Sequence, residues 1–236
     1  MSWIGRVMST IGFNGIRVDT LLEQEQHHPG ETLHAQVKID GGRNDSRIDA
    51  IKFSVWTQAT NQTPVQIAHC TLAEQLTIAA NSELFIPVKL ALPSFTPLSV
   101  GGVKTWLQTE LDVPMAPDPQ DTDAIEIVAI EQQQQVFAAM SELCFTLTHT
   151  ELEPLPQQSR YQVPFLQQFY FESGKDCNYA GILQLAWEPD RNGVELLVTQ
   201  QMPLGQNLNH RLDIREPVQP RLVAQLNQLL EANPAV

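Results

Sequence analysis

Apolar residues fall at every second position through much of this chain. Leu33, Ala35, Val37 and Ile39 alternate with His34, Gln36 and Lys38. Neighbouring side chains of an extended strand point to opposite faces, so this pattern describes a strand buried on one face and wet on the other. Ile51, Phe53 and Val55 repeat it within residues 48–57. The same reasoning predicts strands at 16–20, 66–72, 74–78, 84–92, 103–112 and 123–128. Turn signals separate them: His28-Pro29-Gly30, Gly41-Gly42, Pro93, Pro97 and Gly101-Gly102. Proline lacks the N–H that a central ladder needs, so the prolines mark bends between strands. Many strands at regular spacing, with no helix between them, point to an antiparallel β-sandwich.

The texture changes near residue 130. The run EQQQQVFAAMSEL is rich in helix formers, and Val136, Phe137, Met140 and Leu143 make an apolar stripe. A linker helix is predicted at 130–142. A second strand series follows at 143–152, 165–172, 181–188 and 194–200. Phe145, Leu147 and His149 are expected on one face of its first strand. Asn192-Gly193 supplies a hairpin turn at 190–193. Leu222, Val223, Leu226, Leu229 and Leu230 recur at helical spacing after Pro217 and Pro220, so a C-terminal amphipathic helix is predicted at 219–231. Trp3, Ile4, Val7, Met8 and Ile11 share that spacing, which predicts a short helix over 2–12. With a single arginine it is a weak membrane binder, and packing on its own sandwich is the favoured role. The expected class is all-β: two antiparallel β-sandwich lobes, at 1–129 and 130–236, with short N-terminal, linker and C-terminal helices.

Composition excludes several functions. A chain of 236 residues builds its core without a disulfide or metal staple. A net charge of −13 repels nucleic-acid phosphates and anionic lipid heads, and Arg43 with Arg47 is too sparse for a phosphate track. Cys70, Cys144 and Cys177 form no Cys-x-x-Cys pair, so neither a zinc site nor a redox motif is indicated. Few scattered cysteines, no secretory leader and no membrane-length apolar run lead to the expectation of a cytoplasmic protein.

Chemistry-bearing residues are few. Asp112, Asp118, Asp121 and Asp123 lie within twelve residues, about the proline-rich turn MAPDPQDTD. Carboxylates on a loop can ligate Ca²⁺ or Mg²⁺, but the spacing is not that of an EF-hand loop. A structural turn is the leading reading, with partner docking or a contact between lobes behind it. His27 and His28 with Glu25 suggest a metal corner, yet adjacent strand residues face opposite ways. His69 beside Cys70 meets the same objection. Trp56, Trp106 and Trp187 fall in strands, where aromatics fill a core or cap a sheet face. No nucleophile elbow, phosphate loop or thiolate cluster is visible, so no catalytic residue, cofactor or metal ligand is assigned.

Three stretches carry a family resemblance. The first is 11–42, with Val18-Asp19-Thr20 and Pro29-Gly30-Glu31; the second is IDAIKFSVWTQ at 48–58. The third, 86–128, contains Trp106-Leu107-Gln108-Thr109, Leu111-Asp112-Val113, Asp118-Pro119, Asp121, Asp123 and Ile125-Glu126-Ile127. Together they are similar to the bacterial sporulation-control protein family. In the second lobe, Pro164-Phe165-Leu166-Gln167-Gln168-Phe169 stands where that family has a proline-aromatic strand. The resemblance implies arrestin-like sandwiches and a regulatory, non-catalytic adaptor that binds another protein. By the arrestin analogy, the acidic cluster would pair with a basic residue, with Arg43, Arg47 and Lys104 as candidates. The alternative is a peripheral membrane or trafficking adaptor using the N-terminal helix.

Overall fold

Among the described residues, extended segments pair into four sheets in the computed structural model. It describes residues 6–7, 15–72, 75–115, 117–159, 161–174, 181–187, 195–201, 207–214 and 218–232. The chain divides into two units: Met1–Gln58, Thr63–Ser99 and Lys104–Val128 in one, and Ala59–Gln62, Val100–Val103 and Ala129–Val236 in the other. The two short internal segments belong to the second unit, which no single cut in the chain would produce.

The first unit is built on two larger sheets. One runs β1 (Arg6–Val7), β11 (Gln120–Ile127), β10 (Lys104–Asp112), β6 (Ala50–Gln58), β7 (Val65–Leu72). β3 (Gln26–His27) also pairs with β11, in parallel, just beyond the two residues of β11 that β1 covers. The other sheet is β2 (Arg17–Leu22), β4 (Thr32–Asp40), β9 (Glu83–Ala91). β5 (Ser46–Ile48) and β8 (Leu76–Ile78) make a separate short ribbon. The alternating residues behave as their period requires. Leu33, Val37 and Ile39 of β4, Phe53 and Val55 of β6, and Leu107 and Leu111 of β10 are all buried. Trp56 and Trp106 face each other across the β6–β10 ladder on the opposite, half-buried side.

Three expectations change here. Arg6 and Val7 form a strand, not part of a helix over 2–12; pairing with β11 satisfies backbone groups that an isolated helical turn would leave open. The rest of that proposed helix lies outside the described residues. The strand expected over 48–57 is interrupted at Asp49, whose N–H bonds the Asp112 carbonyl at 2.9 Å, and β5 departs to pair with β8. The last strand begins at Gln120 rather than Asp123, so Asp121 and Asp123 stand in a ladder and not in a turn.

The second unit is a five-stranded meander in chain order: β12 (Phe145–Pro154), β13 (Phe165–Ser173), β14 (Ile182–Trp187), β15 (Glu195–Gln201) and β16 (Asn207–Asp213). β16 was absent from the sequence reading. The hairpin expected at 190–193 lies outside the described residues, although β14 and β15 do pair antiparallel. One face is covered by α1 (Glu131–Glu142), beside which α2 (Val218–Ala232) packs. Phe137 of α1 meets Phe169 and Trp187 edge-on, each at 5.6 Å between ring centres, and those two rings lie 4.7 Å apart. α2 buries Leu222, Leu226 and Leu230, one stripe at four-residue spacing. Gln133 starts α1 by accepting the Ile130 N–H at 3.1 Å.

A bulge between Leu147 and His149 moves the imidazole off the face expected for it. The inserted residue changes the parity of the strand. His149 stacks on Tyr170 at 4.2 Å, and the Tyr170 hydroxyl donates to Glu151. Burial, reinforced by that carboxylate, pushes the Tyr170 phenol up to about 12.

Gly101 shows how closely the short segments fit in the second unit. Its carbonyl accepts the Thr150 N–H at 3.1 Å, and its φ is +59°. A Cβ there would stand 2.8 Å from the Thr150 backbone nitrogen. Gly101→Ala is therefore expected to cost about 1–3 kcal/mol through strain and collision, measured as a lower urea midpoint. Among the described residues, no helix is long and apolar enough to cross a membrane.

Candidate functional site

The four aspartates singled out above share one hairpin, β10–β11, but have separate tasks. Asp112 ends β10, and its carboxylate lies 2.9 Å from the Lys52 ammonium on β6. Glu110, directly across the ladder from Lys52, is 3.6 Å from the same ammonium. The hydrogen bond to Asp112 raises the Lys52 pKa above its usual value. The candidate cations were Arg43, Arg47 and Lys104, whereas the residue that holds Asp112 is Lys52. Arg47 is engaged with Asp49 at 2.6 Å. Lys52 sits on the wet face of the alternation, and only the register of β6 against β10 brings it to these acids.

Asp118 closes the turn. Its Oδ1 accepts the Val113 N–H at 3.1 Å, and the Leu111 N–H bonds the Pro119 carbonyl at 3.0 Å. An aspartate that accepts a nearby backbone N–H is a local turn device. Met115, at the tip, has φ of +60° and is fully exposed, at 102% of its reference area. Pro114, Pro117 and Pro119 frame it. Among the described residues, the turn therefore displays the Met115 side chain between prolines.

Asp121 faces inward and is only 5% exposed. Its Oδ2 accepts the Thr20 N–H at 2.7 Å. β2 is an edge strand, so the bond satisfies a backbone donor that no neighbouring strand takes up. Thr20 and Thr109 join hydroxyls at 2.7 Å beside it. Asp123, two residues on and on the same face, shares a side-chain hydrogen bond with Asp121. Burial raises the Asp121 pKa, and the charge of Asp19 adds to the rise; the bonds from Thr20 and Asp123 oppose it. This arrangement braces one sheet against the other. Thr20 and Thr109 entered the sequence reading only as members of family motifs and Lys52 only within 48–58, although the parity of Asp121 with buried Ile125 and Ile127 carried the signal for an inward aspartate.

The histidine pair also acts structurally. His27 is fully buried; its Nε2 lies 3.0 Å from the Gln24 carbonyl, and its Nδ1 lies 4.0 Å from the Glu31 carboxylate. His28 turns instead to the Val128 carbonyl at 3.1 Å. Among the described residues, no group of three or more His, Cys, Asp or Glu side chains is disposed to hold a metal ion.

The hairpin and every described strand except β16 lie within residues 4–201, which match the family described as SpoOM protein. The chain belongs to the SpoOM family. Among curated relatives, the sporulation-control protein spo0M of Bacillus subtilis (strain 168) is 28% identical over 206 residues, covering 84% of this chain and 80% of that protein. The crystal structure of Spo0M, sporulation control protein, from Bacillus subtilis is similar at a TM-score of 0.76. That similarity covers 92% of this chain and 98% of the other, at 24% identity, and establishes a shared fold. The family expectation drawn from 11–42, 48–58 and 86–128 therefore holds, and with it the all-β class.

Proposed function

We propose that this chain is a non-catalytic regulatory protein of the sporulation-control type that works by binding another protein. Family membership over residues 4–201 carries the reading. The β10–β11 hairpin supports it by offering a surface: Met115 exposed at the tip, with Asp112 and Asp118 in the same hairpin. A non-glycine residue held at positive φ costs about 1 kcal/mol, and such strain at an exposed apolar side chain points to a role outside folding. The partner surface that suits this tip is an apolar pocket with a basic rim. Sparse, scattered cysteines support a cytoplasmic setting. No cofactor or nucleic acid is part of the reading.

The test is affinity purification after cross-linking in the native cell, comparing the parent chain with Met115→Gly/Asp118→Asn. Glycine accepts φ of +60° without strain, and asparagine keeps the oxygen that accepts the Val113 N–H. The variant is expected to stay within about 1 kcal/mol of the parent in stability while the partner is lost. A partner retained at full yield would move the contact elsewhere. Failure of the parent to capture any specific protein under several growth conditions would remove the adaptor reading. The rival, membrane contact through the N-terminal segment, predicts liposome binding that disappears in Trp3→Glu.

A further inference from the structure

Among the described residues, β12 is an edge strand of the second unit's sheet. The outward N–H and C=O groups of such a strand need partners or water. In an antiparallel ladder they belong to every second residue. Beyond its bulge, β12 turns Thr150 and Leu152 outward. Both are met by the two short segments of the same unit, Ala59–Gln62 and Val100–Val103. Pro154, the next residue of that parity, carries no N–H.

The two contacts are built differently. At Thr150 the partner is backbone: the N–H bonds the Gly101 carbonyl at 3.1 Å, and the hydroxyl donates to the Val100 carbonyl at 2.6 Å. At Leu152 the partner is a side chain. Gln62 Oε1 accepts the Leu152 N–H at 3.0 Å, and Gln62 Nε2 donates to the Leu152 carbonyl at 3.4 Å. A primary amide carries the same kinds of donor and acceptor as a peptide group, so Gln62 supplies what a neighbouring strand would. A tight turn presents it, closed by the Gln62 N–H on the Ala59 carbonyl at 3.1 Å. Asn61 takes φ of +60° in that turn, a conformation asparagine tolerates. The Thr60 hydroxyl donates to the Gly102 carbonyl at 3.2 Å and ties the two segments together.

We infer that Gln62 is a releasable latch on β12, which opens at Leu152 while the contact between Gly101 and Thr150 stays closed. The glutamine amide reaches Leu152 on a flexible stem, and holding that stem in one rotamer costs side-chain entropy that a backbone contact does not. The longer of its two bonds, at 3.4 Å, is near the limit for a hydrogen bond. Rotation of this one side chain breaks both bonds and moves neither backbone. Separating Gly101 from Thr150 instead requires the segment 100–103 to shift, and breaks the Thr150 hydroxyl bond to Val100 as well. The open form uncovers one donor and one acceptor of the β12 edge, both on Leu152. The latch stands apart from the regulatory role proposed above.

Hydrogen exchange of the full chain, resolved amide by amide by NMR and corrected for intrinsic rates, tests this. In the parent, the Leu152 N–H is expected to exchange roughly tenfold faster than the Thr150 N–H, because it opens locally. Gln62→Met keeps the length and bulk of the side chain and removes both hydrogen bonds. It is expected to speed exchange at Leu152 by roughly a further tenfold and to leave Thr150 within about twofold of the parent. Equal rates at Leu152 and Thr150 in the parent overturn the latch, because the two contacts then open together. Unchanged exchange at Leu152 in Gln62→Met overturns it equally, because the amide is then not what protects that N–H. Should the variant fail to fold, the comparison of Leu152 with Thr150 in the parent decides alone.

Discussion

Phe169→Ala is expected to lower the stability of the second unit by about 3–5 kcal/mol. Phe169 is 0% exposed, and its ring touches Phe137 from α1 and Trp187 from β14. Truncation removes the apolar burial and both edge-on ring contacts, and it leaves a void between helix and sheet that packed neighbours fill only in part. Calorimetry should show the transition of this unit displaced downward by roughly 10–20 °C. Phe85→Ala is the control. Phe85 is 45% exposed on β9, and its loss should stay within about 0.5 kcal/mol of the parent. Comparable losses at the two positions would show that Phe169 is not the centre of a packed cluster.

The second large effect is expected at Asp121, and its direction depends on the replacement. Asp121→Ala leaves the Thr20 N–H without its acceptor inside the sandwich, at a cost of about 1–3 kcal/mol. Asp121→Asn keeps an oxygen for that N–H and an amide that can donate to Asp123, and it carries no charge. Burial raises the Asp121 pKa above its ordinary 3.8, so the fold favours the protonated acid. The contribution of the native acid is then fully present below pH 3.8 and is lost as pH rises through the raised folded value. The asparagine variant should therefore match the parent in acid and exceed it at neutral pH, whereas the alanine variant stays below asparagine throughout. Urea titrations of the three proteins between acid and neutral pH check this. An asparagine variant less stable than the parent at neutral pH would mean that the ionised carboxylate is the form the fold prefers.

Much of the fold was legible because its signals are local. Alternation in 33–39 and 51–55 reports β4 and β6 directly, since a strand has only two faces. The glutamine-alanine run and the leucine stripe announced α1 and α2 within a residue or two of their ends. β16 escaped because Leu208 and Leu212 are four residues apart, with polar residues between them, which suits neither period well. β1 and β3 are two residues each and exist only because β11 offers them an edge. The candidate site divides the same way. Asp118 as a turn former was readable from its setting among prolines. Asp121 was read with the turn, because aspartate argues against a buried strand and nothing nearby in sequence identifies Thr20 as the donor.

Hydrophobic period, turn chemistry and motif spacing are properties of neighbouring residues, so the longer strands, α1, α2, the all-β class and the family could be read from the chain alone. The partners of the buried and the displayed acids come from long-range pairing. The donor that meets Asp121 is 101 residues away, and the ammonium that meets Asp112 comes from another strand. Burial, partner and charge state follow from strand order and register, which are set by contacts made across the whole unit.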